Sequence, residues 1–222
     1  KPLADKGNAE ALYVLGRLTL DGKGVKKSEQ RAAQLFRQAA EKGDISAQNA
    51  WGTAQASGQG VRRNYREAAR WFRKAAEQGL AMAQYNLGYL YAYGRGVPKD
   101  ENAAIDWYSR AANQGLADAQ YSLGWTYLNS KGENQSDTKA VHWFEKAAEQ
   151  DNLKAQNNLA YMYAEGRGYA QDPVKAVQWY NRAAERGYAE AQYNLGFMYE
   201  QGRGVPQDYN KAVEWYRKAA EQ

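Results

Sequence analysis

Cysteine is absent from the 222 residues. That removes a disulfide framework and any thiolate metal site, and with them the cysteine-rich style of secreted fold. A single histidine, His142, leaves no His-based metal cluster and argues against a Ser-His-Asp arrangement. Acidic residues are scattered, with no carboxylates collected at one place. No apolar run is long enough for a signal peptide or a membrane span, so no membrane insertion is expected. The chain opens on Lys1 rather than Met, so the expectation is an excised region from which any targeting segment has been removed. Cytoplasm, periplasm and medium stay open, with periplasm or secretion preferred. The net charge of +5, with acids and bases well mixed, is too small to point to nucleic acid. Proline is limited to four residues, whereas glycine reaches 21, too many to be incidental in a chain rich in Ala, Gln, Glu, Lys, Leu and Arg.

Glycine in that number acts as punctuation, and the punctuation has a period. Leu15-Gly16, Leu87-Gly88, Leu123-Gly124 and Leu195-Gly196 share a spacing of 36 or its multiples, with Trp51-Gly52 and Leu159-Ala160 filling the gaps. Ala-Gln recurs at Ala47-Gln48, Ala83-Gln84, Ala119-Gln120, Ala155-Gln156 and Ala191-Gln192. The units run 7–42, 43–78, 79–114, 115–150, 151–186 and 187–222, without an insertion, as one domain. Residues 1–6 read as the tail of a preceding second helix, which suggests a longer array.

One unit, 79–114, gives the physical reading. Ala83, Leu87 and Tyr91 lie four apart and share one face of a first helix. Gly94-Arg95-Gly96-Val97-Pro98 ends it, because glycine accepts the left-handed conformation after a helix and proline cannot continue one. Asp100 is placed to cap a second helix carrying Ala104, Trp107 and Ala111, and Gly115 closes the unit. A mid-helix glycine such as Gly88 costs about 1 kcal/mol relative to alanine, so close helix approach is expected there. Trp107 and its equivalents Leu35, Trp71, Trp143, Trp179 and Trp215 are expected to fill the space between helices. No single pair buries both faces, so neighbours must stack. The fold class is all-α: six helix-turn-helix repeats in a solenoid.

The pattern Ala-x-Ala-Gln-x-x-Leu-Gly-x-x-Tyr-x-x-Gly-x-Gly-Val-x-x-Asp, continued by Ala, Trp, Ala-Ala and Gly, closely resembles the Sel-one-like repeat family, relatives of tetratricopeptide repeats. The resemblance covers 7–222 and implies a right-handed α/α superhelix with first helices lining the concave face. It implies adaptor, signalling, host-interaction or effector-immunity roles, most often bacterial. Two units depart from the pattern. Unit 43–78 has Asn49, Trp51 and Gln55 for Tyr, Leu and Tyr, and unit 115–150 has Ser130 and Glu133 for the loop Gly and Val, so its loop is expected to differ.

The first-helix positions left over from packing are the candidate binding surface. Tyr85, Tyr121 and Tyr193 hold one position, Tyr89, Trp125, Tyr161 and Phe197 another, with Tyr93 nearby. Asn86, Asn158 and Asn194 run beside them. The resemblance assigns these asparagines to peptide-backbone contact, as at the matching position of tetratricopeptide relatives. Side-chain amides pair with peptide groups and aromatic rings give large contact area at low entropic cost. The expected groove lies over 82–200 and takes a protein or an extended peptide. Units 7–42 and 43–78 each carry +3, seven bases against four acids and six against three. Arg62, Arg63, Arg66 and Arg70 there form a second candidate, a basic patch for an acidic partner, set against the reading of a solvated outer face.

Other chemical motifs have structural readings. Ser136-x-x-Lys139 has the form of a serine acylase motif, but it falls at a helix start where serine caps. Asn134-Gln135-Ser136 has the form of a glycosylation sequon. The Gly-x-Gly loops follow helices rather than strands and recur in five of the six units, which makes them turns rather than phosphate cradles. No catalytic residue, metal site or cofactor is expected. The leading functional reading is an interaction scaffold, not an enzyme. The alternatives are a hydrolase of cell-wall-related substrates, which would rest on Ser136 or His142, and a spacer between other domains.

Overall fold

The computed structural model describes residues 8–222; the expectation for residues 1–6 lies outside them. Among the described residues there are twelve α-helices and no strand, the fold class of an all-α repeat solenoid. The chain divides into two compact units, ending and beginning at Gln114 and Gly115. The first holds the pairs α1 (Ala9–Asp21) and α2 (Glu29–Glu41), α3 (Ile45–Ser57) and α4 (Tyr65–Glu77), and α5 (Ala81–Tyr93) and α6 (Glu101–Asn113). The second holds α7 (Ala117–Asn129) and α8 (Asp137–Glu149), α9 (Leu153–Glu165) and α10 (Pro173–Glu185), and α11 (Ala189–Gln201) and α12 (Tyr209–Ala220).

Local chemistry sets these boundaries. Every second helix starts on a capping side chain: Ser28, Asn64, Asp100, Ser136, Asp172 and Asp208 each accept a hydrogen bond from a first-turn backbone N–H. Ser136 therefore sits as a cap, with its Oγ 3.3 Å from the Lys139 N–H. The cap's own N–H reaches back to the end of the first helix, as in Asp100 to the Tyr91 carbonyl at 3.0 Å, which closes the connecting loop. Five first helices end on a left-handed glycine (Gly22, Gly58, Gly94, Gly166, Gly202). The exception is α7. Its cap Ser130 is extended and returns its hydroxyl to the Thr126 carbonyl at 2.7 Å, and a single 3-10 turn, Gly132–Asn134, follows. The departure expected of this loop is thus present.

Packing explains the mid-helix glycines. A Cβ on Gly88 would stand 2.8 Å from the Tyr108 ring, and Gly16, Gly52, Gly124 and Gly196 meet Phe36, Phe72, Phe144 and Tyr216 in the same way. The close approach holds, and the ring that fills it is the residue after the tryptophan, which itself packs against the core at Trp71, Trp107, Trp179 and Trp215. Tyr108 turns toward α5 and is buried, whereas Trp107 is half-buried with the Arg110 guanidinium 4.6 Å from its ring centroid. One position along a helix is about 100° of rotation, enough to turn a side chain from the core to its rim. Leu87, Leu123, Leu159 and Leu195 are fully buried beside these notches, and each such side chain stabilises the fold by about 1.5–3 kcal/mol.

Successive pairs are tied by polar bonds as well. Gln84 donates to the carbonyl of Ala76 on the preceding helix at 3.1 Å, and Gln156 and Gln192 do the same to Ala148 and Ala184. At Gly60, Gly96, Gly168 and Gly204 the second loop glycine seats its loop on the preceding pair: a Cβ on Gly96 would overlap the Tyr65 carbonyl, and one on Gly204 that of Pro173.

Candidate binding face

In the first unit, the candidate residues lie on α5. Tyr85 and Tyr89 are half-buried, the Tyr85 ring 5.8 Å from that of Tyr108 and the Tyr89 ring 4.6 Å from that of the exposed Tyr93. Asn86 is already engaged: its Nδ2 donates to Asn49 Oδ1 at 3.0 Å. Burial first, then the neighbouring phenols Tyr85, Tyr93 and Tyr89, push the Tyr108 phenol far up, so this ring is a neutral packing element.

The basic residues of this unit are dispersed by their local partners. Arg62 and Arg66 are exposed, Arg70 pairs with Glu67 at 2.9 Å, and Arg63 lies over the Tyr65 ring at 5.6 Å. Arg95, which the sequence reading treats only as a loop residue, stands over the rings of Tyr65, Tyr89 and Tyr93 at 5.5, 5.3 and 5.8 Å.

In the second unit, α7, α9 and α11 carry one aromatic each at the same repeat position. Trp125, Tyr161 and Phe197 are 44%, 44% and 38% exposed, although the residue before each, Gly124, Ala160 and Gly196, is buried. Tyr121 stacks on Trp125 at 6.4 Å and meets Phe144 tilted at 5.9 Å. Tyr193 is exposed, its ring 5.3 Å from Tyr216. Asn194 repeats the arrangement of Asn86, donating to Asn157 Oδ1 at 2.9 Å. Asn158 does not. The residue 37 positions before it is Tyr121 rather than an asparagine, and the Asn158 Nδ2 is buried with no acceptor.

Charges flank the row. Arg167 is held by Asp137 through Nε at 2.9 Å and Nη2 at 2.7 Å, and that hydrogen bond raises its pKa above the usual guanidinium value. Glu145 accepts from the hydroxyls of Tyr163 at 3.2 Å and Tyr169 at 3.1 Å, whose rings stack 5.4 Å apart. Burial, then the Glu145 carboxylate, pushes the Tyr163 phenol up to about 12. His142 is exposed, edge-on to Trp143 at 5.1 Å. Among the described residues no group of His, Cys, Asp or Glu is arranged to hold a metal ion, and no helix is long and apolar enough to cross a membrane.

The repeat seen in these contacts is matched by the family model of the Sel1 repeat at six successive stretches, 9–44, 45–80, 81–116, 117–152, 153–188 and 189–222. The chain is similar to c5321 of uropathogenic Escherichia coli, a protective antigen displaying an SLR fold, with 37% identity and a TM-score of 0.94 over 100% of this chain and 48% of that one. It thus spans about half the length of that antigen. A Sel1 repeat protein from Oxalobacter formigenes is 34% identical with a TM-score of 0.86, covering 96% of this chain and 85% of its own. The immunity protein PA5088 of Pseudomonas aeruginosa, 19% identical with a TM-score of 0.56 over 97% of this chain and 82% of its own, shares the fold alone. No curated protein matches the chain. Six matched repeats, the helix pairs that realise them and two relatives above 30% identity agree: the chain belongs to the Sel1 repeat family.

Proposed function

We propose that this chain is a binding scaffold, and that the first-helix face of residues 115–222 takes an extended segment of a partner protein. Sel1 repeat proteins generally mediate protein–protein interactions, and the fold is typically a non-catalytic scaffold. The observation that carries the reading is the row Trp125, Tyr161 and Phe197, three large aromatics left in solvent at one repeat position. Exposed rings of this kind are the side chains that most often dominate binding energy at protein interfaces.

Asn158 supports the same face. A buried donor without an acceptor costs about 1–3 kcal/mol, and a turn of the Asn158 side chain toward a carbonyl of a bound segment relieves it. Asn86 and Asn194 each give one Nδ2 hydrogen to Asn49 and Asn157, so they offer a partner their carbonyl oxygen and the second N–H.

The test is site-specific photocrosslinking in the source cells. A photoreactive residue at Tyr161 is expected to capture a partner protein, and one at Trp179, on the second helix of the same pair, is not. Equal capture at both positions, or none at Tyr161, contradicts the reading.

A further inference from the structure

Three arginines that follow a helix-ending glycine, Arg95, Arg167 and Arg203, reach back onto the preceding pair, and their partners differ. In 115–222, Arg167 meets Asp137, 30 positions back, and Arg203, which finds Pro173 at that distance, turns to Glu165 at 3.1 Å and the Ala164 carbonyl at 2.8 Å. Both guanidiniums are neutralised by carboxylates. Arg95 is the third loop arginine at this position, and 30 positions back it finds Tyr65. Its hydrogen bond is to the Tyr65 hydroxyl, 3.4 Å away.

Three tyrosine rings lie against the Arg95 guanidinium, and Arg63 shares the Tyr65 ring with it at 5.6 Å. Among the described residues neither arginine has a carboxylate within ion-pair distance. Both line a cavity of about 320 Å³ with Tyr65, Asn86, Tyr89 and Phe72, at the lower end of the roughly 300–1,000 Å³ typical of ligand sites. No acidic residue lines it.

We propose that this cavity binds a carboxylate side chain of an acidic segment in a partner protein. Aromatic rings cover guanidinium faces and leave the N–H edges for a bidentate acceptor. The Phe72 and Leu90 walls accept the apolar stem of a glutamate. The surrounding sequence is basic, with six bases against three acids over 43–78, which draws an acidic segment toward the site. The site lies wholly within residues up to Gln114 and does not depend on the aromatic row of 115–222.

The test uses fluorescence anisotropy with a labelled octapeptide of alternating Glu and Ala, and its twin with Gln for Glu. The Glu peptide is expected to bind on the order of tenfold tighter than the twin. Arg95→Gln and Arg63→Gln are each expected to lose most of that difference, while Arg70→Gln, whose residue is paired with Glu67, keeps it. Circular dichroism confirms that each variant is folded. Equal affinity for the two peptides, no binding of the Glu peptide up to millimolar concentration, or an unchanged Arg95→Gln variant overturns the proposal. Displacement of the peptide by an equal concentration of inorganic phosphate overturns the carboxylate assignment. The triple variant Trp125→Ala, Tyr161→Ala, Phe197→Ala is expected to bind the Glu peptide as the wild type does, so failure at one site is distinguishable from failure at the other.

Discussion

The side-chain amide of Gln114 donates to that of Gln84 across 2.8 Å, joining the end of α6 to the start of α5. The same bond recurs from Gln78 to Gln48, Gln150 to Gln120 and Gln222 to Gln192. Each inner glutamine is nearly fully buried, and its oxygen accepts from the second glutamine that follows 30 residues later. The fifth pair breaks the pattern. Arg186 stands where glutamine is expected and turns out to Asp151, bonding its carbonyl at 3.2 Å and its carboxylate at 3.2 Å. Gln156 Oε1 is left buried without a donor.

Arg186→Gln is therefore expected to stabilise the protein. It restores a buried hydrogen bond worth about 1 kcal/mol and gives up a half-exposed ion pair worth less than about 1 kcal/mol. Urea unfolding of the variant should show a higher midpoint at unchanged slope. A lower midpoint would mean that the Arg186–Asp151 pair is the stronger arrangement.

Two left-handed glycines separate strain from crowding. Gly79 has φ 90° and open space around a would-be Cβ, whereas Gly96 has φ 72° and the Tyr65 carbonyl in the way. Gly79→Ala is expected to cost about 1 kcal/mol, the left-handed penalty alone. Gly96→Ala adds an overpacking cost, for a total of about 2–4 kcal/mol. Asp151, the one non-glycine residue at positive φ among those described, occupies the position equivalent to Gly79. Equal losses in the two alanine variants, read by thermal unfolding, would remove loop seating as a source of stability.

Alkaline pH should destabilise the fold. The Tyr163 phenol is raised from its ordinary 10.0 to about 12 by burial and by Glu145, and burial raises Tyr108 and Tyr180 further. A folded-state pKa above the unfolded value means that the folded protein holds the proton more tightly. This contribution is complete below pH 10 and is lost as pH rises toward the folded value. Urea midpoints measured from pH 9 to pH 12 should fall, and the fall should be shallower in Tyr163→Phe. A midpoint that rises over this range would contradict the assignment.

Much of the fold was legible because one spacing repeats. Glycine, Ala-Gln and aspartate at fixed offsets gave the helix pairs, their caps and their turns. Trp107 packs against the core as expected, but the ring in the Gly88 notch is its neighbour Tyr108, because two adjacent aromatics both satisfy a helical stripe and only the neighbouring helix decides which enters the notch. The glutamine clamp was visible as a motif but not as a bond, since its partner lies 30 residues away on another helix. Asn86 and Asn158 look equivalent in sequence. They differ because Asn49 and Tyr121 stand 37 residues before them, a relation that only packing exposes. Arg95 went unremarked as a binding residue for the same reason, its distinction from Arg167 lying in Tyr65 against Asp137.

The central claim is that the exposed first-helix aromatics of 115–222 carry partner binding. The direct measurement is the affinity for the segment captured by crosslinking at Tyr161, compared between wild type, Trp125→Ala/Tyr161→Ala/Phe197→Ala and Trp143→Ala/Trp179→Ala, by isothermal titration calorimetry. The first variant is expected to lose about 100-fold or more in affinity, given roughly 1–2 kcal/mol for each buried anchor, while remaining folded. The second, altered on the half-buried second-helix tryptophans, is expected to bind within about threefold of wild type, as residues outside an interface do. Binding that survives the first variant, or that fails in the second, would contradict the account.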